Sequence, residues 1–383
     1  MDSPLRIAIL LNPFDLGVKG GDYAPQLARE LLGRGHAVRG FGAPPGVIPR
    51  SGDEPEGTGS RHNRAGVVGF QPDAIVAYDA LSPAAFLGAR AARKLDVPLV
   101  LVESGFSGSG RFHERLLRWL GQKLWGGFVR HTAARVVALD PHARDLALAE
   151  GFAADRIEIM PAGVNLATFR PGLTSGLISR RRIRGRLLLY VGRVGTGRGL
   201  DILIDAFAAT VGQRRDWSLL LAGEGAPHER RALRAQVDQL GIGAHVHWLP
   251  APRREELPGL MGSATLLALP AVDSGVRGRH IPRAMACGLP VIASALPRFT
   301  MLVEDGESGL VVEPGDREAW IAALSRAAGS PEARRRWGAR SRELAEERLD
   351  WARVAEAFEG LLLKSRTSPG AVAEARTATA SEL

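Results

Sequence analysis

GVRGRHIPRAMACGLPVIAS, residues 275–294, is the stretch around which the chain reads as organised. A basic loop with Arg277, Gly278, Arg279 and His280 runs into a short helical stretch, 282–287. Gly288 ends that stretch, Pro290 follows, and 291–293 is apolar enough for a buried strand. Proline just inside a helix start and glycine just past its end is the expected asymmetry. Unpaired N–H groups and the helix dipole both favour negative charge, so the loop and helix start together predict an anion site.

Working outward, the same alternation recurs. Residues 187–191 (LLLYV) form an apolar strand, followed by a glycine loop, Gly192 to Gly199, and a helix over 200–209. Further strands are expected at 218–222, 245–249, 264–269 and 309–312, with helices near 229–240, 257–261 and 318–328. In the first half, strand 6–11, the pair Gly20-Gly21, helix 23–33 and strand 37–41 make a βαβ unit. Gly20-Gly21 is open to two readings: a tight turn, or close approach of backbone to a ligand. Strands follow at 74–77, 99–102 and 135–138. The fold class is α/β with parallel sheets. Ligands of such sheets bind outside the carboxyl ends of strands, which singles out Glu103, Ser104 and Asp140.

At 383 residues, about two domains are expected. The polar, basic stretch 171–184 is the linker candidate. Hydrophobic residues are 45% and charged residues 24%, an ordinary globular mix. No apolar run approaches the roughly 20 residues of a membrane span, and the opening 14 residues read as a strand, not a leader. The single cysteine, Cys287, excludes an internal disulfide and fits a reducing compartment. Nine histidines and one cysteine show no zinc spacing, so no metal is expected.

The net charge of +9 is carried mainly by arginine. It admits nucleic acid, an anionic membrane surface or phosphorylated substrates, but no nucleic-acid motif appears. Residues 111–135 are basic and amphipathic, with Trp119, Trp125 and Phe128. They read either as helices packed on their own sheet or as a surface that sits on anionic lipid. The expected location is the cytoplasm, at the inner membrane face if the second reading holds. Residues 42–66 read as a long surface loop and 365–383 as a disordered tail.

The loop Gly192-Arg193-Val194-Gly195-Thr196-Gly197-Arg198-Gly199 mimics a P-loop but lacks its Lys-Ser/Thr ending. It is not a dinucleotide fingerprint either, because the third glycine is misplaced. What remains is a flexible loop presenting two guanidinium groups, which suit bidentate phosphate contact.

These pieces, in this order, resemble glycosyltransferase family 4. The matching runs are GGDYAPQLARELLGRGHAV, PAGVNLATFRP, LLLYVGRVGTGRGLDILIDAFA, LLLAGEG, RAMACGLPVIAS and VEDGESGLVVEPGD, covering roughly residues 5–360. The resemblance implies two Rossmann-like domains facing a cleft, the GT-B architecture. Residues 1–175 would form the acceptor domain and 186–345 the nucleotide-sugar domain. Residues 346–364 would be a C-terminal helix, with packing back onto the first domain as one placement. The co-substrate would be a nucleotide-diphosphate sugar with no other cofactor, and the acceptor a glycan, lipid or small molecule.

By the same resemblance Gly20, Gly21, Gly192, Arg193 and Arg198 would hold the donor diphosphate, with Gly278, Arg279, His280, Ile281 and Arg283 in the donor pocket. Glu103 stands where relatives often place a histidine, and is the candidate for orienting an acceptor or sugar hydroxyl. Glu103, Arg193 and Arg198 are the catalytic candidates. Relatives retain anomeric configuration, need no bound metal and use the donor phosphate to assist deprotonation of the acceptor. One departure stands out. Relatives carry two glutamates, for the donor sugar and the ribose, where this chain has Gly275 and Arg283. A usual glycine pair is replaced by Pro297-Arg298. Three readings stay open: an active transferase with a re-tooled pocket suited to a charged donor, a nucleotide- or glycan-binding pseudoenzyme, or a subunit assisting an active transferase.

Overall fold

The computed structural model describes residues 3–11, 23–42, 48, 64–105, 119–212, 216–273 and 275–367. The chain divides into two compact units. One is Met1–Ala162 with Trp351–Leu383; the other is Gly163–Asp350.

The first unit holds a six-stranded sheet: β1 (Arg6–Leu10), β2 (Ala37–Phe41), β3 (Ala74–Tyr78), β4 (Leu99–Glu103), β5 (Ala133–Ala138) and β6 (Ile157–Ile159). All pairs are parallel, in the order β2-β1-β3-β4-β5-β6. β3 and β4 are buried along their whole length, as strands covered on both faces must be. β6 carried no apolar run to reveal it: only Ile157 is buried, while Glu158 and Ile159 are exposed. Helices α1 (Tyr23–Gly33), α2 (Arg64–Phe70), α3 (Pro83–Leu95), α4 (Gly127–Thr132) and α5 (Pro141–Ala149) connect the strands. Residues 64–66, read as loop, thus begin α2.

The amphipathic stretch is described from Trp119 onward. A π-helical turn, Gln122–Gly126, leads into α4, and Ala133 already belongs to β5. Trp125 and Phe128 pack on Phe86 of α3, with ring centroids 5.6 and 5.9 Å away. Trp119 and Leu124 point the other way and are 58% and 71% exposed. No helix among the described residues is long and apolar enough to cross a membrane.

The second unit repeats the plan with β7 (Arg186–Val191), β8 (Trp217–Ala222), β9 (Val246–Leu249), β10 (Leu266–Leu269), β11 (Val291–Ser294) and β12 (Gly309–Val312). The order is β12-β11-β10-β7-β8-β9, again all parallel. This doubly wound order reverses direction between β7 and β10, and a crevice opens at such a switch point. The helices are α6 (Gly176–Arg180), α7 (Leu200–Thr210), α8 (Pro227–Gln239), α9 (Leu257–Gly262), α10 (His280–Ala286), α11 (Pro297–Thr300), α12 (Arg317–Gly329) and α13 (Pro331–Arg348). Residues 163–185, read as a domain end and linker, lie in this unit. Val164 N donates to Leu349 O at 2.6 Å, and Ser175 N to Ser263 Oγ at 2.9 Å.

Three glycines let the loops at the carboxyl ends of β7, β8 and β10 close on one another. A Cβ on Gly225 would stand 1.6 Å from Val194 O, one on Gly223 1.7 Å from Gly192 O, and one on Gly199 1.8 Å from Pro270 O. Gly199 and Gly223 also have positive φ, +72° and +155°. Only glycine tolerates both demands.

The last helix, α14 (Trp351–Thr367), returns to the first unit and packs on α1. It runs through Thr367, so 365–367 are helical; the rest of the expected tail lies outside the described residues. Trp351, Val354, Phe358, Leu361 and Leu362 are all buried. At roughly 1.5–3 kcal/mol gross per fully buried side chain, this face outweighs any exposed ion pair, worth about 0–1 kcal/mol. The charged groups set register instead. Arg34 Nε lies 2.5 Å and His36 Nε2 3.1 Å from the Glu359 carboxylate. His36 Nδ1 accepts from Leu5 N, leaving the proton on Nε2, towards Glu359.

Gly225→Ala is expected to cost more than about 2 kcal/mol, since backbone must move. Gly360→Ala, on α14 with nothing within 4 Å of the added Cβ, should stabilise by about 0.5–1 kcal/mol. Urea unfolding of both variants checks this, and equal midpoints would contradict it. A second expectation concerns acid. Burial opposes ionisation of Glu359, but the hydrogen bond and charge of Arg34, with His36, hold its carboxyl below the ordinary value. A lowered folded pKa gives stability that is full above the usual carboxylate range and lost as pH falls through the lowered value. Glu359→Gln should therefore flatten the acid limb of the melting-temperature profile below about pH 4.5. An unchanged profile would show that the pair adds nothing.

Candidate functional site

At the carboxyl edge of the second sheet the loop after β7 is held by backbone. Gly192 N donates to Ala222 O at 3.0 Å and Val194 N to Glu224 O at 2.7 Å. Tyr190 Oη donates to Arg193 O at 2.7 Å, fixing the point from which the Arg193 side chain leaves. Burial pushes the Tyr190 phenol up to about 12 against the opposing charge of Arg198, so the hydroxyl stays protonated and able to donate. A 3-10 turn, Thr196–Arg198, then leads through Gly199 into α7.

The two loop arginines differ in surroundings. Arg193 is 61% exposed, and its Nη2 lies 3.5 Å from Oε2 of Glu229 in the first turn of α8. The Glu229 carboxylate sits 2.7–2.8 Å from where a Cβ on Gly195 would be, so the space left by that glycine is filled by an anion of the chain itself. Arg198 is half-buried, and its Nη1 lies 3.5 Å from the corresponding point on Gly275. The loops singled out separately in the sequence, 192–199 and 275–283, are thereby brought together at the switch point.

Reading the sequence missed Glu229 and Asp273. Asp273 Oδ1 accepts from Gly275 N at 2.7 Å and lies 2.9 Å from the missing Cβ of Gly275. A carboxylate thus stands beside Gly275, where the resemblance leads one to expect a glutamate, two residues early in the chain. The faint signal was an acid two residues before a glycine, which is a turn pattern as often as a site.

The rest of the loop rests on α11. Gly278, at φ +63°, lies flat on Phe299, whose ring would be 2.5 Å from an added Cβ. Buried Arg298 donates from Nη1 to Val276 O at 3.3 Å. The replacement of the glycine pair by Pro297-Arg298 therefore supplies a support for the loop.

Several expected pocket residues take other roles. Ile281 is fully buried in the core and its N–H is bonded to Gly278 O at 2.8 Å, so it presents nothing to a ligand. Burial, with the charges of Arg283 and Arg279 behind it, lowers His280 to about 3. The ring is neutral and adds no charge, and its Nδ1 is buried without a hydrogen-bond partner among the described residues. The half-buried Arg283 places its guanidinium over the Phe169 ring, 5.6 Å from the centroid. Arg279 is exposed.

In the first unit Glu103 closes β4 and is 2% exposed. Its Oε2 accepts from Ala80 N and its Oε1 from Gly105 N, both at 3.3 Å. The carboxylate ties together the loops after β3 and β4. Beside it Ser104 Oγ donates to Asp79 Oδ1 at 3.0 Å, and Asp79 has φ +56°. Asp140 is an N-cap, accepting from Ala143 N at 2.8 Å. Gly20 and Gly21 lie outside the described residues.

Comparison with known proteins follows the same lines. Residues 61–163 match the model of the glycosyl transferase 4-like domain, and residues 178–344 that of glycosyl transferases group 1. A D-inositol 3-phosphate glycosyltransferase of Xylanimonas cellulosilytica is 30% identical over 284 residues, 70% of this chain and 66% of the relative. Across the first relatives the chain spans 54% to 66% of their length. Among solved structures, Anabaena Alr3699/HepE in complex with UDP aligns with a TM-score of 0.71 at 20% identity, over 94% of this chain and 100% of that one. A glycosyltransferase from Rickettsia africae ESF-5 gives 0.77 at 12% identity, over 96% and 100%. With two doubly wound units and both models matched in order along it, the chain belongs to the glycosyl transferases of group 1.

Proposed function

We propose that the protein moves a sugar from a nucleotide-diphosphate donor, held by its second unit, to a glycan, lipid or small-molecule acceptor taken by its first. The observation that carries this is that the glycine loop bearing Arg193 and Arg198 is brought against the 275–283 loop, with Arg198 Nη1 3.5 Å from where a Cβ on Gly275 would be. Two guanidinium groups on a backbone-braced loop suit a diphosphate. The UDP bound by the structural neighbour supports a nucleotide donor here. The anomeric configuration is retained and no metal is required: Arg193 and Arg198 stabilise the leaving diphosphate, and the donor phosphate assists deprotonation of the acceptor hydroxyl. Asp273 takes the sugar-hydroxyl contact that a glutamate at 275 makes in relatives. Arg277, Arg279, His280 and Arg283 are the basic residues that would suit a donor with an extra negative charge; of these, His280 is neutral and Arg283 faces Phe169. Arg277 and Arg279 are left to support that preference.

Binding without turnover is the second reading. It is favoured by Arg283, which stands where relatives carry the ribose carboxylate and has no acceptor to offer a hydroxyl. The exposed Trp119 and Leu124, flanking Lys123, also favour peripheral contact of the first unit with anionic lipid at the cytoplasmic face.

Losing a charge-assisted contact costs about 1.5–3 kcal/mol, roughly 10- to 150-fold in affinity. Arg193→Ala should weaken UDP binding on that scale by calorimetry, and unchanged affinity in a folded variant would remove the phosphate assignment. A donor panel of uridine-, guanosine- and adenosine-diphosphate sugars, neutral and carboxylated, separates turnover from binding alone. Turnover that is lost in Asp273→Asn supports the sugar contact. Inactivity with every donor, and activity gained in Gly275→Glu/Arg283→Glu, establishes the binding-only reading. For the membrane, each basic residue near an anionic surface adds about 1 kcal/mol, which salt screens. Co-sedimentation should therefore favour phosphatidylserine vesicles over neutral ones and fall with salt and in Trp119→Ala/Leu124→Ala. Equal sedimentation with both lipids would refute it.

A further inference from the structure

The basic stretch 179–186, SRRRIRGR, forms a braced turn between α6 and β7. The N–H groups of Arg181, Arg182 and Ile183 donate to the carbonyls of Leu177, Ser179 and Ile178 at 3.1–3.2 Å. Arg182 has φ +54°, in the left-handed region that side chains other than glycine enter rarely. At Gly185, φ +86°, an added Cβ would stand 2.6 Å from Asp216 O. Ile178 and Ile183 are buried and pin the turn from below. The charges are left outside: Arg180, Arg181, Arg182 and Arg184 are exposed, and Arg186 is half-buried.

The turn lies along the amino edge of the second sheet, opposite the edge that carries the candidate site. Arg184 O accepts from Ser218 Oγ of β8 at 3.3 Å, and Arg186 pairs with Asp216 just before β8. Burial, then His245 and the charge of Arg181, lower the pKa of His247, which places Arg181 beside β9. The exposed Arg335 of α13 shares a hollow with Arg186 at the same edge. The nearby acids do little to offset these groups. Asp216 is taken by Arg186, and Glu256 by Arg253, whose Nη2 is 3.1 Å away. Arg181, Arg182, Arg184 and Arg335 have no carboxylate partner among the described residues.

We infer that this edge of the second unit is a docking surface for anionic phospholipid headgroups, with Arg181, Arg182 and Arg184 as its principal contacts. Guanidinium groups suit phosphate oxygens, and a layer of lipid phosphates needs little besides charge to hold a protein. The edge offers nothing that other polyanions use. Large exposed apolar side chains among the described residues are Trp119, Leu124, Ile159 and Val272, and none lies here. There is thus no aromatic platform for stacking bases and no apolar anchor for a protein partner. The crevice of the sheet opens at its opposite edge, so a unit held in this way leaves the candidate donor site uncovered. The inference rests neither on the donor reading nor on the contact through Trp119 and Leu124, since no residue is shared.

The test is co-sedimentation of the full chain with phosphatidylglycerol–phosphatidylcholine vesicles and with phosphatidylcholine alone. It is run in wild type and in the Trp119→Ala/Leu124→Ala background, which separates this surface from the first unit's contact. Each basic residue at an anionic surface is worth roughly fivefold in partitioning. Arg181→Gln/Arg182→Gln/Arg184→Gln should therefore weaken partitioning onto the anionic vesicles at least about tenfold in either background, and flatten its salt dependence. Lysine at the same three positions keeps the charge and should keep most of the binding. Melting temperature and UDP affinity should be unchanged in both triple variants. The inference is overturned if the glutamine variant partitions like its parent, or if neutral vesicles bind as well as anionic ones. It is also overturned if the lysine variant loses as much as the glutamine variant, which would make the role structural. Binding of a single-stranded oligonucleotide or polyglutamate at the same salt, with none to vesicles, would assign the edge to another partner and overturn it too. UDP binding in the same preparations shows separately whether the donor reading holds.

Discussion

The second unit depends on backbone meeting backbone at the carboxyl edge of its sheet. The carbonyl oxygens of Gly192, Val194 and Pro270 occupy the places where side chains on Gly223, Gly225 and Gly199 would begin. This packing positions the loops after β7, β8 and β10 before any ligand arrives. A loop already held in place pays little ordering entropy on binding, and the arginines it carries leave the backbone at fixed points.

The charges on that frame balance one another. Arg193 rests against Glu229 while exposed to water, a pair worth about 0.2–1 kcal/mol. On the proposed function, a hydrogen-bonded diphosphate would contribute about 1.5–3 kcal/mol per charged contact and would win the competition for Arg193, with Glu229 as the resting counter-ion beside Gly195. Asp273, tied to the backbone of Gly275, keeps a carboxylate at the loop although residue 275 itself has none.

In the first unit two carboxylates at strand ends accept from backbone N–H groups. Glu103 bridges two loops and Asp140 caps a helix. The hydroxyls of Tyr23 and Tyr78 are buried with no hydrogen-bond partner among the described residues, and Tyr23 packs edge-on against Trp351 at 5.1 Å. That contact anchors the last helix, after the chain has passed through the whole second unit.

The parallel α/β layering was legible in the sequence because it is local. Apolar runs such as 187–191 and 99–102 bury both faces of a strand, and glycine and proline punctuate them at fixed offsets. The glycine-arginine loop after β7 was legible for the same reason. β6 was not, since three residues with one buried side chain carry no period. The tertiary structure alone decided which groups meet. Glu229 lies 36 residues from Arg193, and Asp273 is 75 from Arg198, yet parallel crossovers return their loops to one edge of the sheet. Burial, set by neighbours distant in the chain, made His280 neutral, withdrew Ile281 into the core and laid Arg283 against Phe169. Composition specifies that a residue can carry charge or accept a proton; packing decides whether a ligand meets it.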